Sequence, residues 1–99
     1  MKRIIIPSSA FIRASKHYLK KHPDDAKDIS ETIDILAYDA FDIRLRTHIL
    51  HGKFKGCYAC DAGYNLRIIF EFIDYSDKKT KIKINAIVLH TIGTHEEVY

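Results

Sequence analysis

At Arg44 the apolar residues of this 99-residue chain change from helical spacing to alternation, and that switch limits the possible folds more than any other feature. Before it, Phe11, Ala14, Tyr18 and Leu19 recur at the three-and-four spacing of one helix face. Ile29, Ile33, Leu36 and Ala37 repeat the pattern. Pro7 ends a short strand over residues 2–6, Ser8 or Ser9 caps the first helix, and Pro23 stops it near His22. Asp24 and Asp25 then stand where acidic groups favour a new helix N-terminus. The result is an αα-hairpin with a basic side (Arg13, Lys16, Lys20, Lys21) and an acidic one (Asp28, Glu31, Asp34).

After the switch the period is two. Leu45, Thr47 and Ile49 alternate with Arg44, Arg46 and His48, predicting a strand with one apolar and one positive face. Turns over residues 52–56 and 61–65 bracket a second short strand at residues 58–60. Two longer strands follow, over residues 66–75 and 81–92, joined by a polar loop. Ile68-Ile69-Phe70 and Ile87-Val88-Leu89 predict burial on both faces near the sheet centre. The order β-α-α-β-β-β-β describes a single α+β two-layer domain spanning residues 1–99. Both helices pack on one face of a mostly antiparallel, twisted sheet.

A hydrophobic fraction of 46% supports a folded chain, and the length suffices for one core. No apolar run approaches the roughly 18–20 residues that span a bilayer. The isoleucines at positions 4–6 are too few for a secretory segment, so a cytoplasmic protein with no membrane partner is expected. Cys57 and Cys60 lack a second pair for a four-thiolate site, and no His-x-x-x-His run completes a mixed one. On a strand their thiols would also point to opposite faces. Both are read as ordinary small side chains, with no metal and no cofactor expected.

The net charge of +3 is concentrated in residues 44–67, where Arg44, Arg46, Lys53, Lys55 and Arg67 face Asp61 alone. Elsewhere acids and bases nearly cancel. Such a cluster suits phosphate, although a solvated basic sheet face would look the same. The chain ends Ile92-Gly93-Thr94-His95-Glu96-Glu97-Val98-Tyr99, with an imidazole and a phenol just past the last strand.

Four motifs in order, covering nearly the whole chain, resemble the RelE/ParE toxin superfamily and within it the YafQ-like mRNA interferases. Phe11-x-Arg13 with Lys20-Lys21 resembles the family's basic first helix, and Leu45-x-x-His48-x-Leu50-x-Gly52 its strand and turn, continued by Gly56-Cys57-Tyr58. Arg67-Ile68-Ile69-Phe70 is similar to the central strand, and Ile92-Gly93-Thr94-His95-x-x-Val98-Tyr99 to the tail. His51 stands where many relatives carry lysine, Asp61 where the YafQ pattern has histidine, and Asn65-Leu66 where it has aspartate and tryptophan. The resemblance implies a RelE-like fold and the toxin of a type II toxin–antitoxin system. That toxin would cleave mRNA in the ribosomal A site and be neutralised by a cognate antitoxin. It would be monomeric alone and oligomeric with the antitoxin. Two alternatives share the fold: a ParE-like inhibitor of DNA gyrase, and a degenerate relative that only binds antitoxin.

Metal-free RNA cleavage needs a base for the 2′-hydroxyl, cations for the phosphorane and an acid for the 5′-oxygen. With the resemblance, His48 and His95 are the expected proton-transfer pair, since imidazole titrates near neutrality. Arg67 reads as a bidentate phosphate clamp, or structurally as a partner of Asp61 or Glu71. Asp61 orients a histidine, acts as a base, or forms a turn. Tyr99 stacks on a base, donates to phosphate, or anchors the tail. Arg44, Arg46, Lys53 and Lys55 would hold RNA backbone without reading sequence, with His51, Tyr64 and Asn65 as secondary contacts. His17, His22 and His90 read as structural.

Overall fold

A computed structural model describes residues 2–98, apart from the side chain of Tyr75. Tyr99 therefore lies outside the described residues. Strand β1 (Ile4–Pro7) leads into helix α1 (Ser9–Lys21), a 3₁₀ turn at Pro23–Asp25 and helix α2 (Ala26–Tyr38). Strands β2 (His48–Ile49), β3 (Tyr58–Asp61), β4 (Leu66–Ser76) and β5 (Lys83–Thr94) follow, and a one-turn helix α3 (His95–Val98) closes the order. Among the described residues no helix is long and apolar enough to cross a membrane.

The first helix begins where the sequence offers a cap. Ser8 sits in extended backbone and its hydroxyl accepts from the Phe11 amide at 3.0 Å, so α1 starts at once after Pro7. Lys20 and Lys21 lie in the last turn, where the helix dipole favours cations. Pro23 opens the 3₁₀ turn instead of ending in free loop, and α2 begins two residues later than Asp24 alone suggests.

The sheet order is β1-β5-β4-β3-β2, with β1 parallel to β5 and every other pair antiparallel. One face carries the main core: Phe11 of α1 and Ile29 and Leu36 of α2 pack on Cys60, Ile68, Phe70, Ile87, Leu89 and Ile92. The other face is largely open. Among the described residues its buried apolar cluster is a small patch of Leu50, Ala59, Ile69 and Val98, flanked by Phe54 and Cys57. Cys57 and Cys60 thus face opposite ways, as alternation requires.

The predicted strand beginning at Arg44 is not there. Asp42 caps a 3₁₀ turn at Ile43–Leu45, its carboxylate accepting from the Arg44 amide at 2.9 Å, and Arg46 takes a left-handed conformation with φ of 51°. Leu45 drops into the main core and the Thr47 hydroxyl donates to the Ala40 carbonyl at 2.6 Å. Only His48 and Ile49 pair as a strand, and Ile49 stays 53% exposed. Alternation over six residues was real, but a local aspartate outcompeted the ladder.

Burial leaves a pH signature. Cys60 is fully enclosed, and its thiol is pushed from the ordinary 9.0 up to about 12, mainly by burial and then by the charge of Asp61. The folded thiol keeps a proton that the unfolded thiol has lost, so stability should fall as pH rises through the ordinary thiol range. Tyr18, whose hydroxyl donates to Asp25 at 2.5 Å, is raised to about 12 and adds to the loss at higher pH. Urea unfolding at neutral and alkaline pH should show this loss, and Cys60→Ala should remove its lower part.

Candidate active site

The open face of the sheet gathers charge at one end. Asp61 on β3 is the cross-strand partner of Arg67 on β4, and both side chains rise on that face. Arg67 Nε lies 3.1 Å from Asp61 Oδ1, and Arg67 Nη1 donates to the Leu66 carbonyl at 3.2 Å. Each of the two side chains is only 20% exposed. The left-handed turn then swings Arg46 toward the same carboxylate, with Nε 3.7 Å from Asp61 Oδ2. Two guanidinium groups therefore share one carboxylate, which leaves a net positive charge for an anion.

Both predicted histidines reach this place. His48 pairs with Ala59 on β3, so its ring stands on the open face, and Nδ1 lies 3.1 Å from the Arg46 carbonyl. A carbonyl only accepts, so Nδ1 must donate, and in the neutral ring the basic lone pair sits on Nε2. His95 is the first residue of α3 and is placed by a capping box. The Thr94 amide donates to Glu97 Oε1 at 2.9 Å, and the Glu97 amide donates to Thr94 Oγ1 at 3.3 Å. Hydrogen bonds from Thr94 to its carboxylate, the backbone amide first, hold the Glu97 carboxyl below its usual range. Arg46, His48, Asp61, Arg67 and His95 together line a cleft of about 300 Å³.

Gly93 and Val98 complete the tail's seat. Val98 is buried in the open-face patch beside Ala59 and Ile69. A Cβ at Gly93 would stand 3.1 Å from Val98 Cγ1, so glycine lets the tail lie this close. Sequence reasoning singled out His95 but not the device that places it. The signal was present as Thr94-x-x-Glu97, a cap motif next to a glycine.

The other predicted residues do not line the cleft. Arg44 makes a bidentate pair with Asp42, Nε to Oδ1 at 3.0 Å and Nη2 to Oδ2 at 2.8 Å, and borders a separate depression with Glu31. That pairing lowers Asp42 to about 2 and raises Arg44. His51, Lys53 and Lys55 occupy the exposed turn between β2 and β3, where Lys53 lies over the Phe54 ring at 5.5 Å. Tyr64 and Asn65 are exposed at the turn before β4. His90, expected to be structural, sits on the open face with Nε2 2.9 Å from Glu71 Oε1.

No family model matches the sequence, and no curated protein does. Solved structures match over full length. YafQ from E. coli strain BL21(DE3) aligns over 99% of this chain and 99% of its own, with TM-score 0.72 and 17% identity. The E. coli DinJ–YafQ toxin–antitoxin complex matches with 100% and 99% coverage, TM-score 0.71 and 18% identity. A metal-bound toxin from Helicobacter pylori covers 100% both ways, with TM-score 0.71 and 24% identity. The α+β architecture, with helices on one face of a mixed five-stranded sheet, is the RelE/YafQ toxin fold.

Proposed function

We propose that this protein is the toxin of a type II toxin–antitoxin pair, acting in the cytoplasm as an endoribonuclease on mRNA in the ribosomal A site. The observation that carries this reading is the convergence of His48, His95, Arg46 and Arg67 on one open cleft. The fold shared with YafQ and with a toxin–antitoxin complex supports the toxin assignment and the antitoxin partner. Two histidines flanking paired guanidinium groups suit proton transfer at a phosphodiester. A binder that only poisons another enzyme has no use for them.

In this reading the scissile phosphate takes the place of the Asp61 carboxylate against Arg67 and Arg46. One histidine removes the 2′-hydroxyl proton as the O2′–P bond forms. The other protonates the 5′-oxygen as the P–O5′ bond breaks, leaving a cyclic phosphate and a 5′-hydroxyl. Arg67 and Arg46 offset the phosphorane's extra negative charge. Asp61 holds the guanidinium groups in place before RNA arrives. The role proposed for Tyr99 is to stack on a base or donate to phosphate, and Arg44, His51, Lys53, Lys55, Tyr64 and Asn65 contact flanking RNA or ribosomal RNA around the cleft. The toxin is a monomer alone and joins an oligomer with its antitoxin, which would cover the cleft or displace α3.

A translation reaction with purified ribosomes, a defined mRNA and chelator tests this. Wild type should cut at discrete codons, and a His48→Gln, His95→Gln double variant should leave the mRNA intact. Intact mRNA with wild type, together with gyrase-dependent DNA breaks, would sink the nuclease and favour a ParE-like toxin. Antitoxin binding without either activity would point to a degenerate relative.

A further inference from the structure

A second cluster stands on the same open face, created by an irregularity in β5. Ile69 pairs with Thr91 but Phe70 pairs with Leu89, so His90 is an extra residue in the ladder. A bulge of this kind re-aims a side chain. Leu89 and Ile92 both enter the main core because of it, and the His90 ring is carried to the Glu71 carboxylate. Ser8 holds the bulge from the neighbouring strand end. Its amide donates to the Leu89 carbonyl at 2.9 Å and its hydroxyl to the His90 carbonyl at 3.0 Å. On the other side, the Tyr58–Phe70 pair brings Cys57 in line with Glu71. Cys57 Sγ, a Glu71 oxygen and a His90 nitrogen all lie within 4.8 Å of one another, each on a half-buried residue.

We propose that Cys57, Glu71 and His90 form a binding site for a thiophilic divalent transition-metal ion of the Zn²⁺ class, with water in a fourth position. Thiolate, imidazole and carboxylate are the donors such an ion takes, in tetrahedral geometry with bonds of roughly 2.0–2.3 Å. Hard Mg²⁺ and Ca²⁺ select oxygen donors and do not fit the set. The Cys57 thiol needs to close by only about an ångström to reach those bond lengths, since His90 Nε2 and Glu71 Oε1 already lie 2.9 Å apart. The Glu71 and His90 side chains are 43% and 38% exposed, so rotation can supply that movement. On binding, the Cys57 proton passes to solvent and the His90–Glu71 hydrogen bond is exchanged for two bonds to the ion. Thiolate and carboxylate together balance the charge of a divalent cation.

The site is separate from the cleft. Glu71 lies four positions along β4 from Arg67, about 13 Å at strand rise, and the Leu50–Ala59–Ile69–Val98 patch lies between. The ion would join β4, β5 and the turn that enters β3, beside the platform on which α3 docks. Its role is structural, and it does not depend on the nuclease reading. No local motif announces it, because the donors come from β4, β5 and the turn before β3 and meet only in the folded sheet.

Full-length protein stripped of metal should bind one equivalent of Co²⁺ with a thiolate-to-cobalt charge-transfer band that Zn²⁺ abolishes. Zn²⁺ should also raise the melting temperature. Cys57→Ser should lose the band, whereas Cys60→Ser should keep it. Glu71→Gln and His90→Gln, at partly exposed positions that should leave the fold intact, should each weaken Co²⁺ binding about tenfold or more. The His48→Gln, His95→Gln variant should keep the band, which separates this site from any ion held by cleft histidines. A wild type without the band, a band that survives Cys57→Ser, or binding unchanged by both glutamine variants would overturn the proposal.

Discussion

On the proposed nuclease reading, Arg67→Ala should lower mRNA cleavage about a hundredfold or more, the usual cost of removing one donor aimed at developing charge. Arg67 is the better buried of the two guanidinium groups, and its ion pair with Asp61 at 3.1 Å fixes its direction before substrate binds. Arg46 stands farther out, with a side chain 79% exposed and 3.7 Å from the same carboxylate, so it cannot replace a lost clamp in geometry. The stability cost should be small by comparison. A partly solvated pair contributes about 1 kcal/mol or less, and Asp61 keeps Arg46 nearby. Arg67→Lys separates charge from shape: a point charge without the fork should recover part of the activity and stay about tenfold below wild type. Primer extension on ribosome-bound mRNA reads both variants, with urea unfolding as the control for fold. Wild-type cutting by Arg67→Ala would remove Arg67 from the chemistry.

The layers of the fold were legible because apolar spacing decides them. Phe11 and Leu36 at helical intervals, and Ile68 and Ile87 in dense strands, have one way to be buried together. The parallel edge was not legible, since β1 pairs with β5 across almost the whole chain and nothing local sets that register. Arg44 shows a different failure. Its position in an alternating run is correct, but Asp42 two residues earlier folds the backbone into a turn and binds the guanidinium itself. Strand alternation is a weak preference that one well-placed side-chain acceptor reverses. The same reversal sends Arg46 to the cleft and Arg44 away from it. The direction of His90, by contrast, depends on a bulge that alternation cannot contain.

Gly93→Val should cut activity about tenfold or more while lowering stability by only about 1–3 kcal/mol. The residue lies inside a strand with no left-handed backbone to protect, so the effect comes from space alone. A Cβ there meets Val98 Cγ1 at 3.1 Å, Glu97 Cβ at 3.3 Å and Glu97 Oε1 at 3.4 Å. Two of those contacts belong to the residue that closes the capping box on Thr94, and the third to the residue that seats the tail in the apolar patch. Relief must come from α3, because at Gly93 β5 is held in register against Arg67 of β4. His95 begins α3, so it moves with the helix, and a displacement near an ångström costs up to about a hundredfold in a positioned proton transfer. Gly93→Ala should give a smaller loss of the same sign. Adding Val98→Ala to Gly93→Ala should recover cleavage, because the deleted methyl groups return the space, even though the lost burial lowers stability further. Two substitutions that each weaken the fold would then oppose one another in activity, a result that general destabilisation does not produce.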